Sequence, residues 1–278
     1  MYKLKSWVPE ERLTSSLCQN PRAIQYLEKH PEKINWDELS ENPEAIHLLQ
    51  ANPDKINWTR LSENTQAIHM LEANPEKINW YWLSENPAAI HILEKNLDKI
   101  NWASLSCNPA AIHLLNLNEN KIAFWWFSQN PAAIPCLLKH REKISWSMLS
   151  SNPSAIDILQ KNPDKIDWEQ FSSNPAAIPY LLKSPEKINW YWLSSNPNAI
   201  EILEANHDKI NWIWLTSNKN GMSLLEQNKD RIDWRWVSSN PGIFEYDYQA
   251  MKRPFTEELM ANRFHPKNLE RFEAWGYE

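Results

Sequence analysis

Asparagine recurs every 22 residues, at 20, 42, 64, 86, 108, 130, 152, 174, 196, 218 and 240, without one insertion or deletion. A period of that length is the mark of a repeat architecture, in which one unit is a small supersecondary element that cannot bury its own apolar face. The other columns keep the same register. Proline follows the asparagine in nine of eleven cases, with Thr65 and Lys219 as exceptions. Isoleucine stands four residues after the asparagine from Ile24 to Ile200, followed by Met222 and Phe244, and leucine seven residues after it from Leu27 to Leu225. A second isoleucine column runs from Ile34 to Ile232. Tryptophan follows two residues later, from Trp36 to Trp234, with Phe124 as the substitute. A further apolar column runs from Leu17 to Val237, so the unit reads roughly LSxNPxAIxxLxxNPxKINWxx.

Residues 42–63 show what one unit builds. Asn42 can cap a helix by accepting an orphan amide, and Pro43 at the first helical position gives up an N–H that has no intrahelical partner. Ala45, Ile46 and Leu49 then share one face, widened by Leu48. Asn52-Pro53 stops this helix, because proline disfavours the α conformation in the residue before it. Asp54-Lys55 makes a polar turn. Asn57 caps a second helix carrying Trp58 and Leu61; in its column, nine of ten residues are of capping type and Ala123 is the exception. The expectation is a helix of about nine residues, a turn and a helix of about six. Both are too short to stand alone in water, so neighbouring units must cover them.

The predicted fold is therefore all-α: an α-solenoid of ten to eleven two-helix repeats over residues 17–240, an N-terminal cap over 1–16 and a C-terminal helical cap over 241–278. With helix layers 8–10 Å apart, this extrapolates to an open rod or arc roughly 80–110 Å long. Within the tail, Thr256 can cap a helix over Glu257–Phe264, and Pro266 can start another that ends before Gly276. The rival fold is a leucine-rich-repeat-like solenoid, whose period also fits. It requires L-x-L alternation for a strand, and Ile-Asn-Trp supplies only two alternating positions. Three glycines against 19 prolines leave little scope for tight hairpins or phosphate-cradling loops.

Net charge is −6, which provides no overall attraction to nucleic acid or to an anionic membrane. Three scattered cysteines, Cys18, Cys107 and Cys136, make neither a disulfide framework nor a CxxC pair and suit a reducing compartment. The opening Met1–Arg12 lacks the apolar run of a secretory signal, and no stretch of about 18 apolar residues could span a bilayer.

Three columns invite a chemical reading. His47, His69, His91 and His113 share one. A zinc ion needs ligands at about 2 Å, whereas equivalent atoms in stacked units lie 8–10 Å apart, so no metal site is expected. The lysines from Lys33 to Lys209, with Arg231, could track phosphates. An acidic residue precedes nine of these ten, however, so the ladder is nearly neutralised, and a lysine stem covering the neighbouring tryptophan is the plainer account. No nucleophile–base pair, P-loop, HExxH or GxSxG occurs. The sequence thus points away from enzymatic activity, cofactors, nucleic acid, membranes and small-molecule substrates.

The third column is the most informative. Trp82, Trp126, Trp192, Trp214 and Trp236 stand two residues after the core tryptophan, about 200° around the helix and so away from the buried seam. Earlier units put Glu38 and Arg60 there. With Tyr191 and Ile213 beside them, Trp192, Trp214 and Trp236 are expected to form an exposed apolar stripe of the kind that marks a protein partner.

The line LSSNPNAIEILEANHDKINWIWL resembles short-repeat proteins of large DNA viruses of algae and amoebae, built from LSxNPxAIxLLxxNPxKIxW units. The tail, with Glu258-Leu259-Met260, Phe264-His265-Pro266-Lys267 and Trp275-Gly276, is similar to a segment at the ends of such viral proteins. The resemblance implies a viral or virus-derived protein without known catalysis, a minor capsid component bridging other capsid subunits, located in the virion or the infected-host cytoplasm. A cytoplasmic regulatory module that grips a host protein or peptide is the alternative.

Overall fold

The computed structural model describes residues 1–252; the two helices expected around Thr256 and Pro266 lie outside the described residues. The chain is an all-α solenoid. Most repeats open with a 3-10 turn that runs straight into an α-helix, as in Pro43–Ala45 followed by Ile46–Ala51, while Ile68–Glu72, Ile200–Ala205 and Met222–Gln227 follow plain turns. A second 3-10 turn, Pro53–Lys55, leads to the short α-helix Trp58–Leu61. The first helix and the second helix of each repeat thus fall where the capping residues place them. In the second-helix column Asn, or Asp at Asp167 and Asp233, accepts from the backbone amides of the first turn, whereas Ala123 and Ser145 make no side-chain cap.

The repeat-defining asparagine does more than cap. The Asn42 side-chain oxygen accepts from the Glu44 amide at 3.0 Å, and its Nδ2 donates to the Cys18 and Asn20 carbonyls at 2.8 and 3.1 Å, one repeat back. The same rung recurs along the chain, through Asn64, Asn130, Asn174 and Asn240 among others. All eleven asparagines are buried, so each carbonyl they satisfy would otherwise be costly. A serine column works beside them. Ser40 Oγ donates to the Trp36 carbonyl, and its oxygen accepts from the Asn57 amide, the start of the next second helix.

These rungs do not stop at the ends. Asn20 Nδ2 donates to the Ser238 and Asn240 carbonyls at 3.2 and 3.0 Å, so the first repeat reads the last as each repeat reads its predecessor. Ser16 Oγ donates to the Arg235 carbonyl, and the Thr14 amide to Ser238 Oγ. A two-stranded antiparallel clasp locks the joint: β1 (Tyr2–Leu4) pairs with β2 (Phe244–Tyr246). Tyr2 stacks on Tyr246, Lys3 pairs with Glu245, and Arg22 donates to the Pro241 carbonyl. The open rod or arc extrapolated from the sequence is therefore replaced by a closed ring of eleven repeats. The segments expected to cover two separate ends, residues 1–16 and the start of 241–278, meet each other. Closure requires about 33° of turn per repeat, a curvature that helix spacing alone does not reveal.

A wedge-shaped repeat supplies that turn. The second helices of successive repeats pack closely, as do the 3-10 turns that open the first helices, and the first helices splay apart. The narrow edge carries alanine from Ala23 to Ala199, all fully buried, where a small side chain permits close approach. Across the splayed edge long side chains bridge the gap: Glu28 to His47, Gln50 to His69, Glu72 to His91 and Glu94 to His113, at 2.7–2.9 Å. The second helices thus form the inner wall and the first helices the outer wall. The core between them is a continuous band of Leu and Phe, including Leu27, Leu49, Leu61, Phe127 and Phe171.

Candidate inner-wall binding site

The core tryptophans sit on the edge of this band, half-buried, and a cation from the next repeat closes over each. Lys77 Nζ lies 4.4 Å from the Trp58 ring centre, Lys121 4.5 Å from Trp102 and Lys187 4.5 Å from Trp168. The lysine column is thereby spent on covering indoles, a cation–π arrangement of roughly 0.5–1 kcal/mol at such exposed places. The histidines are similarly occupied by their polar neighbours on the outer wall. Among the described residues no group of three or more His, Cys, Asp or Glu side chains comes together as a metal site would require, and no helix is long and apolar enough to cross a membrane.

The second helices turn their remaining face to the lumen. There Tyr191, Trp192 and Trp214 converge: Tyr191 lies 5.4 Å from Trp192 and 5.3 Å from Trp214, and Trp192 lies 5.4 Å from Trp214, ring centre to ring centre. Rings of two neighbouring repeats are thus in contact along this face. Ile213 and Trp236 are both 56% exposed, although Trp236 makes no ring pair with Trp214. Trp126 is paired with Trp125, and Trp82 with Tyr81, each edge to face. The structure therefore brings three of the seven expected contact residues, Tyr191, Trp192 and Trp214, into one cluster. Trp82, Trp126 and Trp236 occupy the same slot in other repeats, and Ile213 stands beside Trp214 in its helix. Tyr81 and Trp125, both about half-exposed, belong to the same surface and were not foreseen. Their signal was present: they fill the slot directly after the core aromatic, where Tyr191 and Ile213 also stand.

The opposite arc of the lumen is acidic. Glu41, Glu63 and Glu85 occupy one column in three successive repeats, next to Glu38, and Arg60 is the single cation among them, 2.6 Å from Glu41. Burial, reinforced by the Glu41 and Glu85 charges, pushes the Glu63 carboxyl above its ordinary range. For an acid whose folded-state value is raised, the charged form weakens the fold. Its protonated form does not, so the penalty is absent at low pH and grows as pH rises through the folded-state value. Glu63→Gln is therefore expected to raise the denaturation midpoint at pH 7, with the gain vanishing near pH 3; a gain independent of pH would show that charge is not its cause. The next residue in the column is Cys107. Burial, followed by Glu85, pushes its thiol up to about 11, so it offers no thiolate nucleophile at neutral pH.

Compared with known family models, with curated proteins and with solved structures, the chain matches none of them. The likeness to viral short-repeat proteins thus rests on the repeat motif and the tail segment of the sequence alone.

Proposed function

We propose that this chain is a non-enzymatic protein-binding ring that holds another polypeptide against the aromatic arc of its inner wall. The observation that carries this reading is the Tyr191–Trp192–Trp214 cluster. Its rings are not needed to complete the core: Leu39, Leu61 and Leu105 are as fully buried as Leu193 and Leu215, although Glu38, Arg60 and Ser104 stand in the same slot of their repeats. Large amphipathic aromatics clustered at a concave, partly desolvated surface are the usual anchors of a protein interface. Trp192→Ala combined with Trp214→Ala is expected to leave helical circular dichroism unchanged and to abolish photo-crosslinking of a partner polypeptide from an inner-wall probe at position 213. Loss of helical signal in the double variant would instead make these rings part of the core and remove the reading.

The repeat motif carries a second proposal, a minor structural role in a virion in which the ring bridges capsid subunits. Mass spectrometry of purified particles tests it, since absence of the chain from them would eliminate that role.

A further inference from the structure

We propose that the lumen is built to seat one amphipathic, cationic α-helix of a partner protein, its apolar side on Trp192 and Trp214 and its basic side toward Glu41, Glu63 and Glu85. This inference rests on the protein-binding reading above and adds the chemistry of the occupant.

Geometry supplies the first argument. Eleven inner helices spaced near the short end of the usual 8–10 Å put opposed helix axes somewhat under roughly 30 Å apart. Subtracting the helices' own girth leaves a lumen on the order of 15–20 Å. One α-helix with its side chains is about 10–12 Å across, so a single helix fits and two abreast do not.

The second argument is placement. Glu63 and Trp192 are six repeats apart in one direction around the ring and five in the other, so the acidic and aromatic arcs face each other across the lumen. An occupant touching both must carry apolar residues on one side and positive charge on the other. A helix with apolar residues at three- and four-residue spacing and lysines or arginines opposite meets that description. Phosphate-bearing polymers do not, because the acidic arc repels them.

Charge balance supplies the third. Glu38, Glu41, Glu63 and Glu85 have only Arg60 among them, so negative charge on this arc is in excess. Cations arriving from the lumen would offset that excess. The serine column of the aromatic half adds no charge to compete: Ser195 and Ser217 donate back to the Trp192 and Trp214 carbonyls of their own helices.

The test uses the full chain and a fluorescent 18-residue helical peptide with leucines on one face and lysines on the other. The expected result is one peptide per ring, weakened at least about 10-fold by Glu41→Gln, Glu63→Gln and Glu85→Gln together, and to a similar degree by Trp192→Ala with Trp214→Ala. Glu72→Gln with Glu94→Gln on the outer wall is expected to change nothing. Equal binding of a leucine–glutamate peptide, more than one peptide per ring, or equal loss from the outer-wall variant overturns the proposal. Binding that needs the tryptophans but ignores the three glutamates also overturns it, while leaving the protein-binding reading intact. Binding indifferent to the tryptophans removes both.

Discussion

Asn130→Asp is expected to destabilise the ring by at least about 4 kcal/mol, whereas Asn101→Asp, the same change one column away, should shift stability by less than about 0.5 kcal/mol. Both asparagines cap a helix start, and an aspartate caps as well as an asparagine does. At Asn101 the capping oxygen is all that matters: it accepts from the Ser104 amide, and Asp167 and Asp233 already fill that column elsewhere. At Asn130 the other half of the amide is in use as well, donating to the Ser106 and Asn108 carbonyls at 3.0 and 3.1 Å in a buried setting. A carboxylate there removes both donors, and each carbonyl left unpaired costs about 1–3 kcal/mol. It also points a negative charge at two acceptors, and an unpaired buried charge adds several kcal/mol more. Against a total folding free energy of about 5–15 kcal/mol, that loss is a large share. Chemical denaturation of the two variants side by side measures it. Equal midpoints would mean that the inter-repeat rung contributes nothing and that the column is conserved within the chain for capping alone.

That contrast also shows what could be read from the residues. In the second-helix column the cap varies among Asn, Asp, Ser and Ala, as expected of a position where one accepting oxygen suffices. In the first-helix column it is asparagine eleven times out of eleven. Serine, threonine and aspartate would cap equally well there, and their absence means that a donor is also required. The inter-repeat rung is therefore legible in the pattern, although capping by itself accounts only for the oxygen of that amide. The two helices per repeat and the covering of an indole by the lysine of the next repeat are legible too, because each follows from local spacing.

Closure was not. It depends on the angle between repeats, set by how closely alanine lets the narrow edge approach; a column of letters does not fix that angle. The amino-terminal segment further hid its part by falling one residue out of register. Arg12 takes the place over Trp234 that the lysine one position earlier in the period takes elsewhere, at 5.8 Å from the ring centre. The Thr14 amide binds Ser238 Oγ where an asparagine amide one position earlier does so in other repeats. Read by column, these residues look like a degenerate repeat; read in space, they complete the last one. The same holds for the site: the two arcs are far apart in sequence, and only the ring sets them face to face.

Opening the seam should have the largest effect on shape. The joint between the first and last repeats is the one place where no covalent chain connects neighbours, and it is imperfectly satisfied: the indole N–H groups of Trp7 and Trp234 are both buried there without a protein acceptor. Removing residues 1–16, and with them β1, Trp7 and Val8, and replacing Asn20 by Asp to break the remaining rung should let the ends part. Small-angle scattering is expected to show a larger radius of gyration, and the newly uncovered apolar faces around Leu17 and Val237 should make the protein associate as concentration rises. Stability in a linear array falls off toward its ends, because a terminal repeat has one neighbour instead of two. In the intact ring every repeat has two, so hydrogen exchange should be level from repeat to repeat and unfolding a single transition. In the opened variant exchange should become fastest in the first and last repeats, and the transition should broaden. An unchanged radius together with level exchange would mean that the contacts across the seam hold nothing together, and that the two arcs of the lumen are not kept facing each other by them.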